Sequence, residues 1–386
     1  MLSDFNFASI THLYFIVFFV QFTNIIGQKA TKQYLIDSVQ HNRISHAQLF
    51  LGAEGSGNLA LALAYAQYVV CENKQAHDSC GECNPCRKAQ KMIHPDIHYS
   101  YPTIGSKVKS TDFAVEWREA IAKNPYQNAY QWLQYLKADN KQGNITTDEC
   151  DDIVRKLSLM AYEAQYKILV MWLPEYLGKE GNRLLKIIEE PPENTLFLLV
   201  AENADLIINT ILSRTQMLRI PRIEEDALIE VLQKRQYLPL ESAQQIALLA
   251  EGNYNEALNL IANFNNDNQT MLVRWLTIIL QRQLNHFNAQ TERFTELGRE
   301  SQKNFLRYSL HFLRQCMLLK AIPKHRLALT NPETELARQI TPTINIDKLE
   351  QIFKLLNDAY YHIERNANPR ILFFNLTIKV GDVLLH

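Results

Sequence analysis

Two stretches of this chain are apolar at every position but the first residue: KILVMWL (167–173) and TLFLLVA (195–201). A strand with one face in water alternates apolar and polar residues, because successive side chains point to opposite faces. A strand without that alternation needs cover on both faces, which a parallel sheet between helices supplies. Between the two runs, KEGNRLLKIIE (179–189) carries helical spacing and is stopped by Pro191-Pro192, since proline cannot continue a helix. HAQLFL (46–51) reads as a further strand, followed after a glycine turn by the Ala- and Leu-rich helix LALALAYAQYVVC (59–71). RTQMLRI (214–220) reads as a short last strand and HPDIHYSYP (94–102) as extended chain. Strands alternating with helices imply an α/β fold, a parallel sheet with helices on both faces.

The pattern changes beyond Pro221. EEDALIEVLQKR, ESAQQIALLAE and NYNEALNLIANF read as short amphipathic helices divided by Leu238-Pro239 and Gly252. The Asn/Asp-rich NFNNDNQ (263–269) marks a boundary, and the chain is helical in pattern from there to His386. Near the start, KQYLIDSVQHNR predicts a helix with Tyr34, Leu35 and Val39 on one face. Residues 103–150 are polar, with Phe113, Trp117 and Ile121 on one helical stripe and Trp132, Tyr135 and Leu136 on a second. Those aromatics, with Lys107 and Lys109 nearby, could stack bases. The plainer reading, an insertion packing on its own small core, is favoured.

The 386 residues suggest two or three domains. An apolar fraction of 47% and a charged fraction of 21% exclude whole-chain disorder, collagen and a multi-span membrane protein. The 40 Lys+Arg against 41 Asp+Glu argue against a nucleic-acid binder that works by charge alone. Residues 1–263 carry net −6 and residues 264–386 net +5, too small an asymmetry to mark a nucleic-acid face. The longest apolar run, LYFIVFFV (13–20), is too short to span a bilayer, which takes about 20 residues. No basic residue precedes it and no small-residue cleavage site follows, as a signal peptide requires. It stays open as a buried strand or short helix, a weak membrane-associating segment, a secretion signal, or an extension without a role ahead of a misplaced start codon.

Glycine is scarce, about 3% of residues where about 7% is usual. Yet Gly52, Gly55 and Gly57 fall within six residues. Strand, glycine turn and helix make the geometry of a phosphate-binding loop, in which backbone N–H groups face the phosphates. A working loop follows G-x-x-x-x-G-K-[ST]. Here Asn58 stands at the lysine position and Leu59 at the hydroxyl position. An amide cannot offset phosphate charge, and leucine cannot ligate Mg²⁺. An ATPase also places acidic residues at the end of a buried strand. KILVM ends instead in Trp172-Leu173-Pro174-Glu175, with its acidic residue three places late.

Six cysteines are present, Cys150 and Cys316 isolated and Cys71, Cys80, Cys83 and Cys86 within sixteen residues. This is no distributed disulfide framework, and a reducing compartment fits best. Two C-x2-C steps place sulfurs where a tetrahedral zinc ion can collect them at about 2.3 Å. Four thiolates close the coordination sphere, which makes the role structural. Two disulfides, free thiols or an iron–sulfur cluster remain the other readings, and His77 and His94 lie nearby as alternative ligands.

The order of these parts resembles the delta-prime family of clamp-loader subunits of bacterial DNA polymerase III, within the AAA+ proteins. The carriers are IIGQ (25–28), SHAQLFLGAEGSG (45–57), the four-cysteine motif, HPD (94–96), LLKIIEEPPENTLFLLVAEN (184–203) and ILSRT (211–215). The likeness covers about Ile25 to Phe264 and is fainter beyond. It implies an AAA+ core over 25–218, with a zinc module at 71–94 and an insertion at 103–150. A helical lid over 219–263, an all-α collar over 264–386 and an N-terminal extension over 1–24 complete the division.

The resemblance also implies a role. Such subunits join gamma/tau and delta partners in a heteropentamer that opens the sliding clamp and sets it on primed DNA in the cytoplasm, without a membrane. The family commonly lacks a working ATP site and lends an arginine to a neighbour's ATP through a Ser-Arg-Cys motif. Ser213-Arg214-Thr215 matches that motif with Thr in place of Cys. Active relatives carry a γ-phosphate-sensing arginine in the lid; Asn255 occupies that position here. The expectation is a chain that does not bind ATP, supplies Arg214 in trans and is not an enzyme on its own. The alternative is an ATP-hydrolysing subunit like gamma/tau.

Overall fold

The computed structural model describes residues 21–137, 143–262, 267–322, 329, 331–365 and 367–385. The apolar run 13–20, residues 138–142 of the insertion and residues 263–266 of the predicted boundary lie outside the described residues. The chain forms two compact units, Met1–Val231 with Glu251–Glu256 and Leu232–Ala250 with Ala257–His386.

The first unit runs α1 (Lys29–Gln40), β1 (Ala47–Gly52), α2 (Asn58–Val70), α3 (Asn84–Gln90), β2 (Ile97–Ser100), α4 (Ala114–Lys123), α5 (Ala129–Tyr135), α6 (Thr147–Leu157), β3 (Lys167–Trp172), α7 (Leu185–Glu189), β4 (Thr195–Ala201), α8 (Asn209–Leu212) and β5 (Gln216–Ile220). The strands form a five-stranded sheet in the order β2-β3-β4-β1-β5. Every pairing is parallel. Leu49, Leu169, Met171, Phe197 and Leu199 point to one face and pack with Ile153, Leu157, Leu184, Ile188 and Ile211. The alternate residues Phe50, Val170 and Leu198 are just as buried, and α2 lies against β1, β3 and β4. Two covered faces explain the continuous apolar runs. Helix α2 is buried along its whole length, which is why its sequence is apolar all round.

Four local readings change. The helix expected over 179–189 is α-helical only from Leu185 to Glu189. Pro174–Leu184 is a tight 3-10 stretch broken at Gly178, whose φ of 52° and ψ of −135° are not helical. In α1 the buried residues are Thr31, Leu35 and Ile36, and Tyr34 is 45% exposed. The insertion does not pack on a core of its own. Trp117 stacks on Tyr101 with ring centroids 4.1 Å apart and meets Trp132 edge-on. It also approaches Trp172, on β3, at 5.3 Å. Trp117 and Trp132 are buried, so the sheet's aromatic cluster uses the faces that base stacking would need. Side-chain caps start the next two helices: Asn128 accepts from Gln131 N–H and Thr146 from Glu149 N–H. At the other end, Phe22 is buried against Tyr68. Residues 21–24, grouped with the extension by sequence, are therefore packed.

The chain continues as α9 (Glu225–Gln236), α10 (Leu240–Ala250), α11 (Tyr254–Ala262), α12 (Asp267–Leu280), α13 (Phe287–Glu296), α14 (Arg299–Ala321), α15 (Asn331–Thr343), α16 (Ile346–Glu364) and α17 (Pro369–Leu385). The core of the second unit centres on Trp275, Phe294, Phe305 and Phe373. Trp275 Nε1 donates to Thr377 Oγ1 at 2.9 Å, so the buried indole keeps a partner. Among the described residues no helix is long and apolar enough to cross a membrane.

Candidate functional site

Strand β1 ends at Gly52, and the loop to α2 turns through Gly55 at φ 69° and Gly57 at φ 90°. Only glycine takes such angles without strain. The turn of a phosphate loop is present, and residues from distant segments pack against it. A Cβ on Gly55 would stand 1.7 Å from Asn253 Oδ1, and one on Gly57 would stand 2.9 Å from the Tyr126 ring. Tyr254 donates its N–H to Gly55 O at 3.1 Å. The Tyr126 hydroxyl accepts from Ile26 N–H at 3.0 Å, and its ring meets that of Tyr254 edge-on at 5.0 Å.

The side chain at the lysine position turns inward. Asn58 Nδ2 donates to Gly52 O and to Ala201 O, each at 3.1 Å. It thereby ties the carboxyl ends of β1 and β4 together, in a position that is 6% exposed. Leu59 is 1% exposed and belongs to the core. Replacing Asn58 by alanine should lower stability by about 1–3 kcal/mol, the cost of leaving buried carbonyls without a donor. Urea unfolding of the variant checks this; an unchanged midpoint would rule out the structural role.

Amide and acidic side chains form further bonds around the loop. Asn255, at the sensing position, is buried and accepts from Asn124 Nδ2 at 2.9 Å. Asn128 Nδ2 donates to Glu54 Oε1 at 2.9 Å. Glu175 accepts from the N–H groups of Glu202 and Asn203 at 2.6 and 2.9 Å. The late acidic residue of β3 thus braces the start of the next loop. Burial pushes the Glu202 carboxyl up to about 8, with Glu54 and Glu175 adding repulsion.

Arg214 lies elsewhere. Helix α8 is pinned by buried Ile211, and hydroxyls hold the turn after it. Ser213 Oγ donates to Thr210 O at 3.2 Å and Thr215 Oγ1 to Leu212 O at 3.1 Å. The guanidinium donates from Nη1 to Thr210 O at 3.0 Å and to Ser213 Oγ at 3.3 Å. Nε donates to Glu189 Oε2 at 3.1 Å, Nη2 forms an ion pair with the same oxygen at 3.0 Å, and the side chain is 31% exposed. The register sets its distance from the loop. Gln216 pairs with Gln48 and Ile220 with Gly52, so Arg214 stands at the amino edge of the sheet and the glycine loop at the carboxyl edge. Four strand steps, about 13 Å at the usual rise, separate the two ends of β5.

The four clustered cysteines come together as well. Their Sγ atoms all lie within 4.8 Å of one another, with Cys71–Cys80 at 3.7 Å and Cys80–Cys86 at 3.9 Å. A disulfide needs about 2.05 Å, and all four are free thiols. Tetrahedral ligands at about 2.3 Å from one ion stand roughly 3.8 Å apart, so the cluster fits a metal ion. His94 is turned away from it: Nδ1 accepts from Asp96 N–H at 3.1 Å and Nε2 lies 3.3 Å from Glu163. The Asp78 carboxylate accepts from the N–H groups of Phe22 and Thr23 at 3.1 and 2.8 Å, fastening the cysteine loop to the rest of the unit.

A family model described as DNA polymerase III, delta subunit, matches residues 27–224, just over half of the chain. The chain belongs to the DNA polymerase III delta-subunit family. It is similar to DNA polymerase III subunit tau of Bacillus subtilis (strain 168), 22% identical over 93% of this chain and 61% of that protein. It is also similar to DNA polymerase III subunit delta' of the same organism, 27% identical over 53% of this chain and 51% of the relative. The chain therefore spans about half to three fifths of the length of these curated relatives. Among solved structures, the Bacillus subtilis DNA clamp loader delta protein (YqeN) aligns over 91% of this chain and 99% of its own, at TM-score 0.33 and 9% identity.

For this DNA polymerase III delta-family chain, sequence reasoning marked the loop, the four cysteines and Arg214 separately, and the structure keeps them at separate places. What sequence reasoning missed is the packing of Tyr126, Asn253 and Tyr254 against the loop. Tyr126 comes from the insertion, and the other two lie almost two hundred residues from Gly55 in sequence. No local spacing announces such a contact. Glu189 was missed too, being one acidic residue of a Glu-Glu-Pro-Pro run with nothing local to set it apart.

Proposed function

We propose that this chain is a non-hydrolysing, delta-prime-like subunit of the DNA polymerase III clamp loader. In that role it assembles with gamma/tau and delta subunits, helps set the sliding clamp on primed DNA during replication in the cytoplasm, and lends Arg214 to a neighbour's ATP. The observation that carries the reading is the placement of Arg214. It stands semi-exposed at the amino edge of the sheet, at the opposite end from the chain's own glycine loop. An arginine so placed can meet a phosphate only if another molecule brings it. The planar guanidinium suits that task, since its fork matches phosphate oxygens. The loop's lack of a lysine and hydroxyl, with Asn58 turned inward and Asn255 buried, supports a chain that does not bind ATP. We further propose that Cys71, Cys80, Cys83 and Cys86 hold a structural Zn²⁺. The helical lid over 219–263 and the collar over 264–386 belong to the same reading.

The rival is a gamma/tau-like subunit that binds and hydrolyses ATP, favoured by the likeness to tau along most of the chain. Turnover by the isolated protein separates the two. The expected result is no Mg²⁺-dependent ATP hydrolysis by the chain alone and co-purification with its clamp-loader partners. Turnover above background would establish the rival instead.

A further inference from the structure

We infer that Glu189 is a gate on Arg214: its carboxylate occupies the edge of the guanidinium that a phosphate must use, and holds the arginine idle until the partner's site closes. The inference rests on the proposed trans role of Arg214. A guanidinium has five N–H donors. In this structure both donors of Nη1 are used, by Thr210 O and Ser213 Oγ. Nε donates to Glu189 Oε2 at 3.1 Å, and Nη2 lies 3.0 Å from that same oxygen as an ion pair. Bidentate recognition of phosphate needs two N–H groups side by side, and the carboxylate oxygen sits across the Nε–Nη2 edge that would offer them. The Nη1 contacts come from the turn that carries the arginine, and they fix its direction. Glu189 comes from a different element, the last residue of α7, so it can leave without disturbing the turn.

The exposures match a contact made to be exchanged. Glu189 is 57% exposed and Arg214 31%, and pairs that open to water contribute little net stability. A γ-phosphate carries more charge than one carboxylate, so a neighbour's ATP pressed against Arg214 displaces Glu189. Without that close approach the carboxylate keeps the arginine neutralised. The gate thus lowers hydrolysis in the loosely closed state more than in the fully closed one. Glu189 positions and restrains Arg214 and needs no contact with the nucleotide.

The test uses the reconstituted loader and its ATP hydrolysis with and without primed DNA and clamp. Glu189→Gln removes the charge at constant size, at an exposed site where folding is not at risk. The rate without DNA and clamp should rise by about two- to fivefold, the range an exposed ion pair can supply, and the ratio of stimulated to unstimulated rates should fall accordingly. In the double variant with Arg214→Ala the increase should vanish. An unstimulated rate that stays put or drops in Glu189→Gln, while Arg214→Ala alone still lowers hydrolysis, overturns the gate and leaves the trans arginine standing. An increase that survives in the double variant also overturns it, because the effect then bypasses Arg214. If Arg214→Ala alone changes nothing in a fully assembled loader, the trans role fails and takes the gate with it.

Discussion

Replacing Arg214 by alanine should abolish hydrolysis at one ATP site of the assembled loader while leaving assembly intact. An arginine that meets the transferring phosphoryl group from a neighbouring chain is worth roughly 10³–10⁵ in rate in related NTPases. The steady-state rate of the whole complex should therefore fall by the share of that one site, and single-turnover measurements should show a slow population of bound ATP. The structure limits what else the substitution disturbs. Arg214 is partly exposed, and its ion pair with Glu189 is a surface contact of the kind that contributes about 0–1 kcal/mol. Helix α8 is anchored by Ile211, and the turn keeps its hydroxyl bonds through Ser213 and Thr215. Arg214→Lys is the informative companion. It keeps the charge and loses the planar fork, so it should recover only a small part of the rate. A complete complex with unchanged hydrolysis in Arg214→Ala would exclude the trans role.

Metal removal should have the other large effect. Elemental analysis of the purified chain is expected to find about one zinc per chain, and Cys86→Ser to lose most of it. Structural zinc sites of this kind contribute apparent binding energies of about 10–16 kcal/mol in small peptides at neutral pH. Because the cysteine loop has few apolar residues of its own, that energy has to hold it. Its ties to the rest of the unit include Asp78 to Phe22 and Thr23, and Gln67 to Ser79 Oγ at 2.9 Å. Chelation should therefore expose the amides between Cys71 and Lys91 to exchange and release residues 21–24 with them. The sheet, whose core is separate, should stay protected. Full protection of the cysteine loop in metal-free protein would remove zinc from the account.

Part of the fold was legible in the sequence, for a plain physical reason. The runs at 167–173 and 195–201 need two covered faces, and side-chain chemistry alone therefore implies a parallel sheet between helices. The spacing of Cys71, Cys80, Cys83 and Cys86 brings four sulfurs together almost by chain length alone. Local chemistry was harder to read where backbone angles compete. Gly178 and Pro174 turned an expected helix into a 3-10 stretch, and Tyr34 proved to lie off the buried face of α1. The aromatics of the insertion carried the correct helical stripes, yet periodicity cannot say what a stripe packs against. Trp172 on β3 supplied that partner.

By itself the sequence determined the sheet, the glycine turn and the loss of its lysine and hydroxyl, since each follows from side-chain chemistry at neighbouring positions. It also determined that an arginine follows a serine ahead of the last strand. Tertiary structure alone decided what those facts amount to. Parallel pairing of β1 with β5 sets Arg214 and the glycine loop at opposite edges of one sheet. Residues distant in the chain, Tyr126, Asn253 and Tyr254, pack against the loop. Glu189, twenty-five positions from Arg214, takes up the edge of the guanidinium that a phosphate would need. The reason is general: spacing along a chain reports which groups share an element, while register and packing report which groups can reach each other.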